Sequence, residues 1–202
     1  MATAFGYFLN MLPYMLISLP FILLWRWLRC RKLRKHDLIS LPLREILMVL
    51  FAVFLVGLIS QTVLSEITLT SNGFEIVKHA GGGGLNLKLF DVFRLVKIET
   101  IERGKLNFFL INVVGNIVIF MPIGFFSCLL WRKPSFWKAL LSGFLTSLAI
   151  ELAQFPLDRG TDIDDLWLNT LGALLGWALF IVLKKHVNLE KCRVHSCVNA
   201  KE

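Results

Sequence analysis

The sequence predicts an all-α polytopic membrane protein with five transmembrane helices. Of its 202 residues, 56% are hydrophobic, and the mean hydropathy is +0.67. A soluble domain is only about 45–50% apolar. A helix needs roughly 20 mostly apolar residues to cross the bilayer core. Five apolar runs reach or approach this length, at about Phe5–Trp25, Ile46–Ser65, Phe108–Trp131, Ala139–Pro156 and Leu166–Leu183.

The basic residues predict the orientation of these spans. Most of the 22 Lys and Arg residues lie in the first connection (26–44), the third connection (132–138) and the tail (184–202). By the positive-inside rule, this distribution places the N-terminus outside and the C-terminus in the cytoplasm. No Lys or Arg precedes the first run and no small-residue cleavage site follows it, so we expect a retained span. The net charge of +8 then indicates topology and contact with anionic membrane lipids, and no nucleic-acid partner is expected.

Four parts are predicted along the chain. Residues 1–65 form two helices with a basic cytoplasmic loop, residues 66–107 an outer loop, residues 108–183 a three-helix core, and residues 184–202 a basic cytoplasmic tail. Within the outer loop, the β-branched residues from Ile67 to Val77 predict a short hairpin around Asn72-Gly73. Leu85 to Ile101 predicts an amphipathic segment on the outer membrane surface.

The four cysteines carry no strong signal. None falls on the predicted outer side, so disulfides are not expected. Cys192-x-x-His195-x-Cys197 lacks a fourth ligand at standard spacing and is not typical of a zinc site.

Polar and small residues form one stripe on each of the last three predicted helices. Residues spaced three or four apart share a helix face, and the stripes consist of Asn112 and Asn116, then Gly143, Ser147, Glu151 and Gln154, then Asp165, Asn169, Gly172 and Gly176. In each helix the amide and carboxyl groups lie towards the predicted outer end. We therefore expect the three polar faces to meet in one site at the outer face, with the small residues allowing close helix packing.

The acid content around this site favours a function. Between residues 151 and 165, five acidic residues accompany Arg159 as the single basic residue, and charge at a bilayer is costly unless it pairs or serves a site. Carboxylate and amide oxygens suit a divalent cation such as magnesium or calcium. Glu151 with Asp165 would suit general acid–base chemistry. Arg159 would suit non-catalytic binding of a phosphate or carboxylate on a headgroup or peptide.

A structural interpretation stays open beside these three. The amides could bridge helices, Arg159 could neutralise Asp158 or Glu151, and Asp162 could cap the fifth helix. Triad chemistry is disfavoured because His79 is the single histidine on the predicted outer side.

The spacing of these residues resembles the VanZ-like family. The motifs are Asn112-x-x-Gly115-Asn116-x-x-x-Phe120-x-Pro122-x-Gly124-Phe125, then Glu151-x-x-Gln154, then Arg159 and Asp162-x-Asp164-Asp165-x-x-x-Asn169-x-x-Gly172-x-x-x-Gly176. Asn86-Leu87-x-x-Phe90 is similar to the family's Asn-Leu-x-Pro-Phe segment, with Leu89 where proline is usual. The resemblance extends from about Asn86 to Leu183.

The family consists of small integral membrane proteins of mainly Gram-positive bacteria, and its founding member is associated with low-level resistance to teicoplanin and related lipoglycopeptides. The resemblance therefore implies a multi-pass protein of the cell membrane that acts on or binds a cell-envelope component, such as a cell-wall precursor or lipid headgroup. Whether it is an enzyme is left open, and a structural or partner-docking role is the alternative.

The resemblance also implies that the polar residues of these motifs form one site. We assign Glu151 and Asp165 as candidate catalytic residues. The candidate binding residues are Asn112, Asn116, Gln154, Arg159, Asp164 and Asn169. No cofactor is identified apart from a possible divalent cation, and the oligomeric state is not predicted.

Overall fold

The computed structural model describes residues 4–63, 66–70, 73–77, 85–130, 135–155, 161–186 and 194–196. Within these ranges, five helices are long and apolar enough to cross a membrane, as the sequence predicts. Their spans are Leu9–Arg34, Pro42–Thr62, Leu106–Leu130, Phe136–Gln154 and Ile163–His186. The chain is thus a helical, polytopic membrane protein.

The complete helices extend slightly beyond some of these spans and include short pieces between them. The α-helices are α1 (Ala4–Arg34), α2 (Pro42–Thr62), α3 (Asp91–Val96), α4 (Leu106–Phe109), α5 (Asn116–Leu130), α6 (Phe136–Gln154) and α7 (Ile163–His186). Two π-helical segments, Lys97–Glu102 and Leu110–Gly115, adjoin α3 and join α4 to α5. The third span is therefore one continuous helical rod with a π segment inside it.

In the described part of the chain, short strands form three two-stranded sheets outside the helices. The strands are β1 (Leu38–Ser40), β2 (Glu66–Thr70), β3 (Gly73–Val77), β4 (Leu85–Asn86), β5 (Thr161–Asp162) and β6 (Val194–Ser196). The antiparallel pair β2–β3 confirms the predicted hairpin and pairs Thr70 with Gly73, while Asn72 lies outside the described residues. The antiparallel pair β1–β6 places the tail strand beside the first connection.

Helix α1 continues through the basic segment instead of ending with the apolar run at Trp25. Arg, Lys and Leu are good helix formers, so the charges that end the apolar run do not end the helix, which extends to Arg34. The first half of the predicted basic loop is therefore helical. Inside it, Arg26 is only 6% exposed and forms a two-pronged ion pair with Glu45 at the start of α2, with both N···O distances 2.8 Å.

Helix α7 packs against both α5 and α6 and is the centre of the bundle. Its glycines allow this contact: a Cβ on Gly176 would overlap the carbonyl of Met121, and a Cβ on Gly124 would overlap the backbone of Ala173. Such close approach through small residues is how helices associate in membranes. The predicted close packing of the small-residue stripes is confirmed, and it brings the polar ends of α5, α6 and α7 together.

Among the described residues, two clusters of buried apolar side chains form the core of the bundle. One is formed by Cys128, Leu129, Ala139 and Phe180. The other is formed by Leu58, Phe120, Ile123 and Ile150, which joins α2 to α5 and α6.

Candidate functional site

The start of α7 holds the first part of the site. The Asp162 carboxylate accepts a hydrogen bond from the backbone N–H of Asp164 at 2.9 Å, which is the geometry of an N-cap. This is the cap that the structural interpretation of the sequence allowed for. The backbone N–H of Asp162 in turn donates to a carboxylate oxygen of Glu151 at 3.1 Å. Glu151, near the end of α6 and only 6% exposed, is thereby tied to the first turn of α7.

Asn116 and Asp165 join α5 to the same place. The Asn116 amide donates to a carboxylate oxygen of Asp165 at 2.5 Å, and it also donates to the carbonyl of Asn112 within its own helix. Glu151 reaches the same turn of α7 from α6, through its hydrogen bond with the backbone N–H of Asp162. Three spans therefore bring Asn116, Glu151 and Asp165 together, as the sequence predicts.

The charge of this group is uncompensated within the described residues. No described Lys or Arg forms an ion pair with Glu151, Asp162 or Asp165. The ion pairs of the described residues lie elsewhere and involve Glu45, Asp91 and Glu99. Neighbouring carboxylates in a surrounding of low polarity repel each other and favour a proton, a cation or a donor from outside. The arrangement can accept hydrogen bonds or positive charge, and it can exchange a proton.

A second polar pair lies one turn deeper. Asn169 follows Asp165 by four residues and is 5% exposed; its amide nitrogen donates to the Ser147 hydroxyl at 2.9 Å. Its amide oxygen is buried and has no hydrogen-bond partner among the described residues. An unpaired buried carbonyl is costly, so this oxygen is an acceptor that a bound donor would satisfy. Sequence reasoning treated Ser147 only as a member of a helix stripe and missed its role as the acceptor of the Asn169 amide.

Asp164 has a different role from the one expected. It is 1% exposed and accepts three hydrogen bonds, from the backbone N–H groups of Phe90 and Val92 at 2.6 and 2.7 Å and from the Trp167 indole at 2.8 Å. These contacts hold the segment after β4 against the start of α7. Phe90 lies there in the left-handed region, with φ +66°, which few non-glycine residues adopt. Asp164 thus serves as an anchor of the fold.

Asn86, at the start of the segment that Asp164 holds, also binds to the beginning of α7. Strand β4 pairs in parallel with β5, and the Asn86 amide donates to Asp162 at 3.1 Å. The Asn86–Phe90 motif is therefore part of the wall of the site. Sequence reasoning placed the motif in the predicted surface segment Leu85 to Ile101 and did not pair it with the start of α7, because its partners lie more than 70 residues away in the chain.

The remaining predicted residues lie apart from this group or outside the described residues. Gln154 donates to the carbonyl of Thr62 at 2.8 Å and so ties α6 to the end of α2. Asn112 is exposed, and its amide donates to the carbonyl of Phe108 in its own helix. Asn112 also lies in the π segment Leu110–Gly115, a distortion frequent near functional sites. Arg159 lies outside the described residues.

Comparison with known sequences decides the family. The VanZ/LLP1 family matches residues 45–184, well over half of the chain. The chain belongs to the VanZ/LLP1 family. It is also similar to Protein VanZ of Enterococcus faecium, with 32% identity over 81 residues, which are 40% of this chain. The match spans only half the length of that relative. No solved structure matches.

For this VanZ-like protein, the described residues give no support for a metal centre held by the protein alone. Within them, no three His, Cys, Asp or Glu side chains are grouped so that they could hold a metal ion. A divalent cation therefore stays a prediction. Of the tail motif, His195 lies in β6, while Cys192 and Cys197 lie outside the described residues.

Proposed function

We propose that this VanZ-like protein acts on or binds a cell-envelope component through the group of Asn116, Glu151, Asp165 and Asn169. In this proposal the site faces the outside of the cell membrane, the N-terminus is outside, and the protein lowers susceptibility to teicoplanin and related lipoglycopeptides. The resistance part rests on the resemblance to the VanZ-like family.

The observation that carries the proposal is the convergence of three spans on acids without a described basic partner. If these groups served stability alone, pairing each acid with a cation or replacing it by an amide would avoid the repulsion. A ligand with ammonium, hydroxyl or amide N–H groups would satisfy Glu151, Asp165 and the amide oxygen of Asn169 together. Lipid headgroups and the peptide part of cell-wall precursors carry such groups.

Turnover is a variant of the same proposal. Glu151 and Asp165 come from different helices that meet at the start of α7, and of two neighbouring carboxyl groups one can hold a proton while the other is ionised. This is the arrangement that general acid–base catalysis requires. The same residues would bind without turnover if no bond of the ligand lay within their reach.

A specific observation favours a second candidate, a structural or partner-docking protein in which the polar groups join helices. Asp162, Asp164 and Gln154 each have a hydrogen-bond partner within the fold. The two candidates differ in what they require of Glu151: a helix-joining role needs an acceptor, whereas a working site needs a carboxyl group.

Conservative substitution separates the two candidates. Cells of a Gram-positive host would express wild type, Glu151→Gln or Glu102→Gln, and teicoplanin susceptibility would be measured with the membrane level of each protein. Glu102 is the matched control because it is an exposed acid in the outer segment. We expect wild type and Glu102→Gln to protect and Glu151→Gln, equally abundant, to lose protection. Equal protection by Glu151→Gln would favour the structural candidate, and no protection by wild type would contradict the resistance part.

The orientation has its own test. Glu102→Cys, in a chain whose four native cysteines are replaced by serine, would be treated in intact cells with a membrane-impermeant maleimide. Labelling is expected if the outer segment faces the medium. Labelling only after the cells are opened would reverse the proposed orientation.

A further inference from the structure

The half of the bundle away from the acidic site contains a cavity. It has a volume of about 440 Å³ and lies between α2, α5 and α6, within the roughly 300–1,000 Å³ typical of ligand sites. Its walls are mainly apolar, with Met48 and Phe51 from α2, Phe126 from α5 and Thr146 from α6. All these residues lie in the membrane-spanning helices, so the cavity is within reach of lipid chains.

Arg44 lines this cavity at the beginning of α2. Its side chain is only 12% exposed, and its Nε is buried without a hydrogen-bond partner among the described residues. One of its terminal nitrogens donates to the Ser40 hydroxyl at 3.3 Å and lies 3.5 Å from the Glu45 carboxylate. The guanidinium is therefore anchored on one side and has a donor without an acceptor on the other.

The nearest acid does not neutralise Arg44 fully. Both oxygens of Glu45 already accept from Arg26 at 2.8 Å, and the Ser40 hydroxyl also bonds to Glu45. Two guanidinium groups thus share one carboxylate, which leaves an excess positive charge at the end of an apolar cavity. An anion with an attached hydrocarbon chain complements both features.

We propose that this cavity binds an anionic phospholipid, with an acyl chain between α2, α5 and α6 and its phosphate on Arg44. Basic pockets between transmembrane helices are recognised sites for anionic headgroups. Arginine binds phosphate oxygens through paired, charge-assisted hydrogen bonds, and the Nε of Arg44 has no acceptor among the described residues. The proposal is independent of what occupies the acidic site at the other end.

Native mass spectrometry of the full chain in neutral detergent tests this proposal. Dioleoyl-phosphatidylglycerol and dioleoyl-phosphatidylcholine, which share the same acyl chains, would be titrated separately. We expect the anionic lipid to bind wild type about fivefold more tightly, the effect of one basic group near a membrane surface. Equal binding of the two lipids by wild type would overturn the proposal.

Three variants locate the effect. Arg44→Gln should abolish the preference, and Thr146→Phe, which fills the cavity without changing charge, should weaken binding of the anionic lipid. Arg34→Gln is the matched control, because it removes an exposed positive charge at the same end of the bundle, and it should keep the preference. If Arg34→Gln lowered binding as much as Arg44→Gln, a diffuse basic surface would explain the affinity and the cavity site would be refuted. Should Arg44→Gln fail to fold, unchanged binding by Thr146→Phe would still overturn the proposal.

Discussion

The carboxyl groups at the two ends of the bundle have opposite kinds of partner. At the basic end, Glu45 is held by Arg26 through two hydrogen bonds of 2.8 Å, with Arg44 at 3.5 Å. At the acidic end, Glu151 and Asp165 have an N–H and an amide as partners and no described basic residue. Among the described residues, the side chains around Glu45 therefore carry more positive than negative charge, and those around Glu151 and Asp165 the reverse.

This difference separates charges that stabilise the fold from charges that are available for a ligand. A buried ion pair with both partners satisfied is lost at high cost when one partner is removed. Acids that repel each other contribute little to stability, and their neutralisation relieves repulsion. We therefore expect substitutions at the two ends to change the free energy of unfolding by different amounts or in opposite directions. The predictions below begin with the largest expected change.

Replacement of Glu45 should destabilise the fold most. Glu45→Ala leaves Arg26 buried without its partner, which costs about 3–5 kcal/mol in such cases. Thermal unfolding of the full chain in detergent, followed by circular dichroism, measures the loss. Glu102→Ala is the control for an exposed acid. A decrease in the free energy of unfolding of less than about 1 kcal/mol would show that Arg26 forms hydrogen bonds with water or lipid in the absence of Glu45.

Asp164 should give the next largest effect, because its carboxylate accepts three hydrogen bonds that hold the segment after β4 against α7. Asp164→Ala leaves the buried N–H groups of Phe90 and Val92 without an acceptor, at about 2–3 kcal/mol in total. Limited proteolysis should show faster cleavage between Leu87 and Lys105 before any change in the spans. Asp164→Asn keeps one acceptor oxygen and should be cut at an intermediate rate. Wild-type rates in both variants would contradict the anchoring role.

The pair of Ser147 and Asn169 should show a smaller effect. Ser147→Ala removes the acceptor of the Asn169 amide and should cost about 1 kcal/mol. Asn169→Leu removes both amide groups, including the oxygen without a partner, and should cost less than Ser147→Ala. Equilibrium unfolding of the two variants gives the order. The reverse order would mean that the Asn169 oxygen is satisfied in the folded protein.

The Lys97–Glu102 π segment should show the smallest effect on stability, and this effect should depend on pH. Hydrogen bonding by Lys105, with the charges of Lys105 and Arg103, lowers the pKa of Glu99 from its usual 4.5. Because the folded-state pKa is lower, the stabilisation is present above about pH 4.5 and is lost as the pH falls below that value.

Hydrogen exchange tests this dependence. Amide protection factors in the Lys97–Glu102 π segment should fall only below about pH 4.5 in wild type, while the spans keep their protection. In Glu99→Gln, protection in this segment should be low at every pH. A wild-type decrease between pH 5 and 8 would point to a different group.

The sequence predicted most of the architecture because its signals are local. Apolar length gave the five spans, β-branched residues gave the hairpin, and spacing gave the faces that carry Asn116, Glu151 and Asp165. The extension of α1 to Arg34 was not predicted, because the end of an apolar run says where the hydrocarbon region ends and does not say where the helix ends.

The different contacts of the individual polar residues could not be predicted from the sequence. Asp164 and Asp165 are adjacent and chemically alike, yet one anchors Phe90 and the other meets Asn116. On a helix, neighbours point about 100° apart, so their partners depend on which segment packs on each side. Gln154 likewise shares a predicted stripe with Glu151 but bonds to α2. Such choices depend on contacts between distant parts of the chain.

The most direct test of the account compares Asp165→Asn with Glu45→Gln. Both substitutions exchange one carboxylate for an amide of nearly the same shape, one at each end of the bundle. Thermal unfolding of the full chain in the same detergent gives the two Tm values. The account predicts that Asp165→Asn leaves Tm unchanged or raises it, while Glu45→Gln lowers Tm by more than about 4 °C. A decrease in Asp165→Asn as large as that in Glu45→Gln would contradict the claim that the acidic end is a site available for a ligand.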